Sequence, residues 1–412
     1  MQRDNQIIKI TSRETGHMIH HDSVFSADGQ WIVFDARNDE TKINETRSIG
    51  IVNVHSGIEI DIYEAKAATK YGPGVGAASF SPTRNRVVFI HGLYEANEQE
   101  PYAISRRFGL GVDIDKPNVE IPMDARDVNA PYTLGSLRGG THSHCWNSDG
   151  TMLSFTYNDA LVDSDLRRVG VMIPSGQPID VKSGQGNVNG TLYSVILSEV
   201  VRSPILGSDE ISKAFDECWL GTKSNIIAFQ GNTLNQKGEV ITEIFTVEFD
   251  TSLILDDFTS KGQKGEWPLV PKGIKQQRIS HTTRGLSDFR HWLRSSPDGK
   301  YIYALAKDEE ERNQLIQCSV LDGKFTYISD FQFSISSPIN VNPQGNLITF
   351  IANNNVFIYD INQKHLSKIT NYEEEDAVKL LGAPVFSPTE QSIAFNVIEN
   401  NSKNTQINLV LF

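Results

Sequence analysis

The sequence has few cysteines, no long apolar run and no excess of basic residues. Only three of its 412 residues are cysteine, at wide spacing, so we expect no disulfide framework and a reducing compartment. Lys and Arg total 38 against 51 Asp and Glu, a formal net charge of -13. Phosphate binding needs a basic face, so nucleic acid is excluded as a partner. No stretch of about 18 apolar residues occurs, so no membrane-spanning helix is expected.

The first residues, "MQRDNQIIKITSRETG", lack the charged and then apolar pattern of a secretory signal. We therefore expect a cytoplasmic protein, or a periplasmic one if a leader has been removed from the sequence.

A turn followed by a short apolar run recurs along the whole chain. Six clear copies begin at Ser26, Ser81, Asn147, Ser296, Asn342 and Ser387, and a weaker seventh begins at Gly221. Each copy has a turn of the S-P-D-G type and then β-branched or aromatic residues, which is typical of a tight hairpin between strands. A second strand pair follows several copies, so each unit is predicted to be a four-stranded antiparallel propeller blade.

Seven copies predict an all-β, seven-bladed β-propeller that forms a single domain over residues 1–412. The segment "QIIKITS" (6–12) resembles "HLSKITN" (365–371), an outermost strand, while the last copy has only about three strands. We therefore expect the N-terminal strand to complete the last blade and close the ring. One insertion, "GSDEISKAFDECW" (207–219), has apolar residues at helical spacing and predicts a short helix in blade four.

Equivalent positions at the starts of the innermost strands are rich in histidine. Counting back five residues from each turn gives His21, Gly76, His142, Asp216 (with Glu217 beside it), His291, Ser337 and Gly382. His144 shares the face of His142, because side chains alternate along a strand. Since the innermost strands of a propeller surround a central channel, these positions are expected to form a ring at one mouth.

We therefore predict a divalent metal site at the mouth. Its predicted ligands are His21, His142, His144, His291 and the carboxylates Asp216 and Glu217. Imidazole and carboxylate together suit Mn²⁺, Zn²⁺, Fe²⁺ or Ni²⁺. The alternative is that these histidines line the channel as solvated or hydrogen-bonded residues, as single histidines usually do. His17 and His20 compete with His21 for the same position.

Further candidates lie in the segments that lead into two of these strands. "ISHTTRGLSDFRHWLR" (279–294) and "APYTLGSLRGG" (130–140) carry Arg138, Arg284 and Arg290. Arginine binds carboxylates in a planar, bidentate manner, so these three are predicted to bind an acidic substrate. They could equally balance the charge of an acidic protein. His281 or Tyr132 is the candidate for taking a proton, whereas Trp146 and Trp292 are expected to pack between blades.

The S-P-D-G hairpins and the "KIT" endings of outer strands resemble the TolB-like propeller repeat over essentially the whole chain. Within that group, "GGTHSHCWNSDG" and "RHWLRSSPDG" are similar to the metal-bearing strand starts of the cytoplasmic oligogalacturonate lyases. The whole sequence resembles a bacterial family of lyase-like propellers still more. The resemblance implies a divalent ion, typically Mn²⁺, at the channel mouth.

The function predicted from these observations is a metal-dependent lyase that cleaves a small acidic, uronate-containing oligosaccharide by β-elimination. A divalent ion on the uronate carboxylate stabilises the charge that develops when the neighbouring proton is removed. Two other functions remain open. One is a non-catalytic propeller that binds a protein or glycan partner, and the other is a different metal-dependent reaction of a sugar, such as hydrolysis, epimerisation or oxidation.

Overall fold

The fold is a ring of seven antiparallel sheets. The computed structural model describes residues 5–389, 391–399 and 402–412. Six blades have four strands each, and the first has three strands with a bridged inner segment. The prediction of a seven-bladed, almost all-β propeller is confirmed. Within the described ranges no helix is both long and apolar enough to cross a membrane.

The first strand, β1 (Ile7–Lys9), belongs to the last blade. Blade one contains β2 (Trp31–Asp35), β3 (Ser48–Asn53) and β4 (Glu59–Glu64), and its inner side is formed by residues 18–25 through bridges to β2. Blade two contains β5 (Val75–Phe80), β6 (Arg86–Gly92), β7 (Arg107–Asp113) and β8 (Ile121–Pro122). A small parallel pair follows, β9 (Ala125–Arg126) and β10 (Ser136–Leu137).

Blades three and four have longer inner strands. Blade three contains β11 (Gly140–Trp146), β12 (Leu153–Asn158), β13 (Arg167–Ile173) and β14 (Tyr193–Ile196). Blade four contains β15 (Lys213–Trp219), β16 (Ile226–Leu234), β17 (Val240–Glu248) and β18 (Gln276–Arg278).

The last three blades follow at short intervals. Blade five contains β19 (Arg294–Ser295), β20 (Tyr301–Lys307), β21 (Asn313–Ser319) and β22 (Phe325–Tyr327). Blade six contains β23 (Asn340–Val341), β24 (Leu347–Ala352), β25 (Asn355–Asp360) and β26 (His365–Lys368). Blade seven contains β27 (Val378–Phe386), β28 (Ser392–Glu399) and β29 (Thr405–Leu411), and β1 is its outermost strand. Two 3₁₀ turns, Ile43–Glu45 and Glu374–Asp376, lie in connections.

The ends of the chain close the ring. β1 pairs antiparallel with β29, with Ile7 opposite Val410 and Lys9 opposite Asn408. The predicted closure by the N-terminal strand is therefore confirmed, and β29 is not left as an open edge.

The repeated sequence forms the contacts between blades. A phenylalanine stands eight residues after the turn start in six copies (Phe34, Phe89, Phe155, Phe229, Phe350 and Phe395), and none is more than 4% exposed. The fifth copy has Ala304 at this position, also fully buried. Each burial removes a large apolar side chain from water, worth roughly 1.5–3 kcal/mol.

The helix predicted for residues 207–219 is wrong. Residues 213–219 form β15, whose pairing with β16 shifts register between Phe215 and Cys218. The bulge breaks the strict alternation of the strand, so apolar residues fall three and four positions apart, as they would on a helix. Blade four does contain one short helix, α1 (Thr251–Asp256), between β17 and β18. The Asp250 side chain caps it by accepting a hydrogen bond from the Ser252 amide at 2.8 Å.

Candidate functional site

The inner strands surround a cavity of about 380 Å³ where those strands begin, which we call the axial pocket. Six of the seven blades contribute to its lining. Its charged and imidazole side chains are His20, His21, Arg37, Glu40, Arg107, His142, Arg167 and Arg290. The ring of equivalent positions expected from the repeat therefore does converge at one place, and His21 and His142 both face it.

Three of the arginines have no carboxylate partner. Among the described residues, no ion pair within 4.0 Å involves Arg107, Arg167 or Arg290. Arg107 and Arg290 lie over the rings of Tyr102 and Trp292, and Arg167 donates only to the Asn158 side chain, at 3.2 Å. Burial lowers the pKa of both Arg107 and Arg167, and nearby Arg290 lowers each further, whereas the Asp216 carboxylate raises the pKa of Arg167. Asp216 interacts with both Arg167 and Arg290 without forming an ion pair, so the positive charge of the three arginines is only partly balanced and favours an anionic ligand.

The fourth arginine is structural. Arg37 is held by both carboxylate oxygens of Asp35, at 2.6 and 2.8 Å, and also donates to the Glu40 carbonyl at 2.7 Å. The Asp35 carboxylate balances its charge, so Arg37 shapes the wall of the axial pocket and leaves anion binding to the other three.

The histidines of the axial pocket are neutral. Burial holds the pKa of His20 and of His142 well below the ordinary value, and neighbouring arginines lower both further. Neither ring nitrogen of His142 has a hydrogen-bond partner, and His20 Nε2 has none. A neutral imidazole with an unpaired nitrogen is able to accept a proton or bind a metal ion.

A hydrogen-bonded layer closes the axial pocket from below. Arg294 donates to the His21 ring at 3.0 Å and to the His21 carbonyl at 2.9 Å. Asn340 accepts from Arg294 at 2.7 Å and also donates to the His21 carbonyl at 2.8 Å. Trp292 stacks on His21 at 3.7 Å and faces the pocket, whereas packing between blades was predicted for it. Arg294 and Asn340 themselves line a second cavity of about 230 Å³, so this layer lies between the two cavities and forms the floor of the axial pocket.

The predicted set of metal ligands is only partly available. His291 cannot bind a metal ion, because its Nδ1 donates to the Phe289 carbonyl at 2.7 Å and its Nε2 accepts from the Leu305 amide at 3.0 Å. His21 is committed to Arg294. Asp216 is the bulge residue of β15, at φ 49°, and its electrostatic neighbours include Arg290 and Arg167. These three predicted ligands are therefore corrected to structural or charge-balancing roles.

The other three predicted ligands keep unpaired, buried atoms. Both ring nitrogens of His142, Nδ1 of His144 and both carboxyl oxygens of Glu217 lack a hydrogen-bond partner. Burial raises the pKa of Glu217 to about 8. A cation would satisfy any one of these atoms. In the described parts of the chain, however, no three His, Cys, Asp or Glu side chains are grouped so that they could hold a metal ion, and these donors therefore do not form a metal site in this structure.

Of the predicted substrate-binding residues, only Arg290 lies in the axial pocket. Arg138 is 1% exposed, pairs with Asp159 at 3.2 Å and covers the ring of Tyr132, so the structure gives both Arg138 and Tyr132 structural roles. Arg284 pairs with Glu311 on the surface.

His281 is exposed and, with Arg284, lines a separate groove beside the β16–β17 hairpin. The predicted proton-accepting roles of His281 and Tyr132 are corrected accordingly, since neither side chain reaches the axial pocket.

Arg107 and Arg167 are site residues that were not predicted from the sequence. They begin the third strands of neighbouring blades, β7 and β13, and reach the axial pocket from those equivalent positions. An alignment of the third strands across the repeats would reveal this pair. The turn motif precedes the second strand, however, and gives no register for the third.

Comparison with known proteins gives one close relative. The chain is 32% identical over 410 residues, 96% of each chain, to a protein of Escherichia coli strain K12 described as "Uncharacterized protein YidR". A family model described as a protein of unknown function, DUF3748, matches residues 74–186.

Solved structures resemble the fold. An oligogalacturonate lyase in complex with manganese aligns over 99% of this chain and 93% of its own, with 12% identity and a TM-score of 0.58. An oligogalacturonate lyase from Vibrio parahaemolyticus aligns over 100% of this chain and 94% of its own, with 10% identity and a TM-score of 0.56. At these identities the likeness establishes the propeller, and the resemblance to oligogalacturonate lyases is confirmed at the level of the fold.

Proposed function

We propose that this chain, which belongs to the same family as the Escherichia coli protein YidR, is a lyase. In this proposal the axial pocket binds a small acidic oligosaccharide through a uronate carboxylate and cleaves it by β-elimination. The observation that carries the proposal is the group of three guanidiniums, those of Arg107, Arg167 and Arg290, which make no ion pair within 4.0 Å among the described residues. Burying cations is costly unless a counter-charge arrives, so these residues favour an anionic ligand.

The guanidinium groups also suit the chemistry. In β-elimination a base removes the proton beside the carboxylate, a carbon–carbon double bond forms and the carbon–oxygen bond to the neighbouring sugar breaks. Negative charge builds on the carboxylate as the proton leaves. Fixed cations stabilise that charge more in the transition state than in the ground state.

His20 is the residue that we propose as the proton acceptor. Its ring lines the axial pocket, its Nε2 has no partner, and its lowered pKa keeps it neutral. The departing sugar oxygen takes its proton from water. His21, Trp292 and Arg294 form the floor of the axial pocket, so a substrate enters from the opposite end. A pocket of this shape suits a short substrate.

A divalent ion enters the proposal as a bound ligand of the protein. The candidate donors are His142, His144 and Glu217, which have unpaired buried atoms but are not grouped at one point in the described parts of the chain. When bound, such an ion supplies further positive charge to the substrate carboxylate. The manganese in the structurally similar lyase supports a divalent ion here.

The experiment is a lyase assay on purified protein with oligogalacturonides and other uronate oligomers, with and without Mn²⁺. We expect an unsaturated uronate product, detected by its ultraviolet absorbance. Arg107→Met should reduce turnover at least about 100-fold, as expected for removing one group that stabilises developing charge. Arg284→Met is the matched control, because Arg284 is a surface arginine outside the axial pocket, and it should retain full turnover.

Two results would contradict the lyase. One is a folded wild-type protein that yields no unsaturated product from any uronate oligomer. The other is full turnover by Arg107→Met. Uronate binding by calorimetry without any product would instead favour the non-catalytic glycan-binding propeller.

A further inference from the structure

A single carboxylate, that of Glu40, faces the axial pocket. Among the described residues that line this pocket, Glu40 is the only acidic one, against four arginines. It belongs to the connection between β2 and β3, which also brings Arg37, Thr41 and Ile43 to the pocket. Glu40 is exposed to solvent, so this connection lies at the open end of the pocket. The entrance therefore carries one negative charge in an otherwise positively charged cavity.

The Glu40 carboxylate has no partner within the protein. Arg37 donates to the main-chain carbonyl of Glu40 at 2.7 Å, while its charge is balanced by Asp35. The other cation of the connection, Lys42, pairs with Glu45 at 2.9 Å. In the part of the chain that the structure describes, no hydrogen bond and no ion pair within 4.0 Å involves the side-chain oxygens of Glu40. These oxygens are therefore available to a ligand.

Blade seven leaves room for this carboxylate. Gly382, at φ 68°, is the bulge residue of β27, at the position that Ser143 has in β11 and Asp216 has in β15. A Cβ atom on Gly382 would lie 3.4 Å from Oε1 of Glu40, so the carboxylate lies against the bare backbone of the inner strand. Glu40 therefore extends from blade one to the wall that blade seven forms.

The charges of the axial pocket are divided between two sides. Arg167 begins the third strand of blade three, and Arg290 precedes the inner strand of blade five. In a ring of seven blades, blades three and five lie across the axis from the boundary between blades seven and one, where Glu40 lies. A ligand that fills the pocket therefore meets guanidinium groups on one side and a carboxylate on the other.

We infer that Glu40 is a specificity-determining residue of the axial pocket and that the substrate is a uronate joined through its O4 to an amino sugar. The inference rests on the proposed function, in which the arginines bind the uronate carboxylate and the sugar on O4 is the group that leaves. A protonated amine on the leaving sugar complements the Glu40 carboxylate, whereas a second uronate in that place is repelled by it. The preferred substrate is therefore a mixed disaccharide and not an oligomer of uronates alone.

The test is the affinity for three disaccharides, measured by calorimetry at mildly acidic pH, where the amine is protonated. Each contains glucuronate with a different sugar on its O4: glucosamine, glucose or a second glucuronate. The wild-type protein should bind the glucosamine compound most tightly and the diglucuronate most weakly. Each step in this order should be about fivefold, the size of one charge contact near a protein surface.

Glu40→Gln keeps the size of the side chain and removes its charge. This variant should lose about fivefold in affinity for the glucosamine compound and gain about fivefold for diglucuronate, with the glucose compound little changed. Glu40→Lys should invert the wild-type order. The opposite signs separate an effect of charge from a change in packing, which would alter all three affinities alike. Added salt should reduce the differences between the three compounds in the wild type.

Glu45→Gln is the matched control. Glu45 belongs to the same connection, pairs with Lys42 and does not line the axial pocket, so this variant should keep the wild-type order. Equal wild-type affinity for the three disaccharides would overturn the inference, and so would a Glu40→Gln variant that changes all three affinities in the same direction.

The inference and the proposed function can fail separately, because calorimetry measures binding without turnover. The expected order of affinities without any unsaturated product would count against the lyase and still support the role of Glu40. Equal turnover of diglucuronate and the glucosamine compound, unaffected by Glu40→Gln, would support the lyase and overturn the inference. No binding of any of the three disaccharides would overturn both.

Discussion

At the scale of single residues, Arg107 and Arg138 show that buried arginines have opposite meanings. Both are nearly buried, at 8% and 1% exposure. Arg138 has a carboxylate partner, Asp159, at 3.2 Å and donates to the carbonyl oxygens of Gln263 and Glu266. Arg107 has only the ring of Tyr102 beneath it. The protein therefore balances the charge of Arg138, whereas the charge of Arg107 forms no ion pair among the described residues and is available to an anionic ligand.

We expect Arg138→Met to lower the free energy of unfolding by about 3–5 kcal/mol, because it leaves the Asp159 carboxylate buried without its cation. Urea denaturation measures this. Arg107→Met should leave the free energy of unfolding unchanged or higher, because it removes an unpaired buried charge, and should abolish uronate binding in calorimetry. Equal destabilisation by the two substitutions would show that Arg107 is also structural.

At the scale of elements, the turn that begins each hairpin is held by its own side chains. In the fifth copy, Ser296 donates to Asp298 at 2.7 Å and accepts from the Tyr301 amide at 3.0 Å, while Asp298 also accepts from the Lys300 amide at 3.1 Å. These hydrogen bonds lower the pKa of Asp298 to about 2, and the bond from the Ser296 hydroxyl has the largest effect. The side chains of the S-P-D-G motif therefore stabilise the turn of the hairpin through their own hydrogen bonds.

A pH-dependent contribution to stability follows from that turn. The folded pKa of Asp298 lies below its unfolded value of about 3.9. The carboxylate therefore stabilises the fold fully above the unfolded pKa, and this stabilisation disappears as the pH falls toward about 2. Asp298→Asn should be less stable than the wild type near neutral pH and should converge with it in acid, as measured by urea denaturation across pH.

The control for this prediction is Asp256→Asn, at an exposed position at the end of α1. It should track the wild type at every pH. A stability difference between wild type and Asp298→Asn that stays constant down to the lowest pH would contradict the assignment.

The same elements show how far the sequence predicts this molecule. Turn residues and the buried phenylalanines recur at fixed spacing, so hairpins, blades and the ring can be predicted from local chemistry alone. The position of a site side chain within an inner strand cannot be predicted in this way, because the bulges at Ser143 and Asp216 change which residues of those strands face the axis. In blade three His142 does face the axial pocket, whereas in blade five Trp292 takes the place predicted for His291.

At the scale of the whole molecule, the axial pocket depends on ring closure. Its lining comes from six blades, so its shape persists only if the blades stay in register around the axis. The pairing of β1 with β29 closes the ring. Nearby, Lys9 pairs with Glu399 at 2.7 Å, and Asn5 donates to the Ile369 carbonyl next to blade six at 3.0 Å. A short strand that does not line the axial pocket is therefore coupled to it.

Deletion of residues 1–10 tests this coupling. It removes β1 and the buried Ile10, which is 6% exposed, and should lower the free energy of unfolding by at least about 2 kcal/mol from that side chain alone. The exposed edge of β29 should also promote association through strand pairing, visible by light scattering. Uronate binding should weaken with the loss of ring closure, although residues 5–10, the part of the deleted segment that the structure describes, do not line the axial pocket. A synthetic peptide of residues 1–12 should restore both properties. If the deleted protein kept wild-type stability and affinity, closure by β1 would be dispensable and the blades would hold the axial pocket on their own.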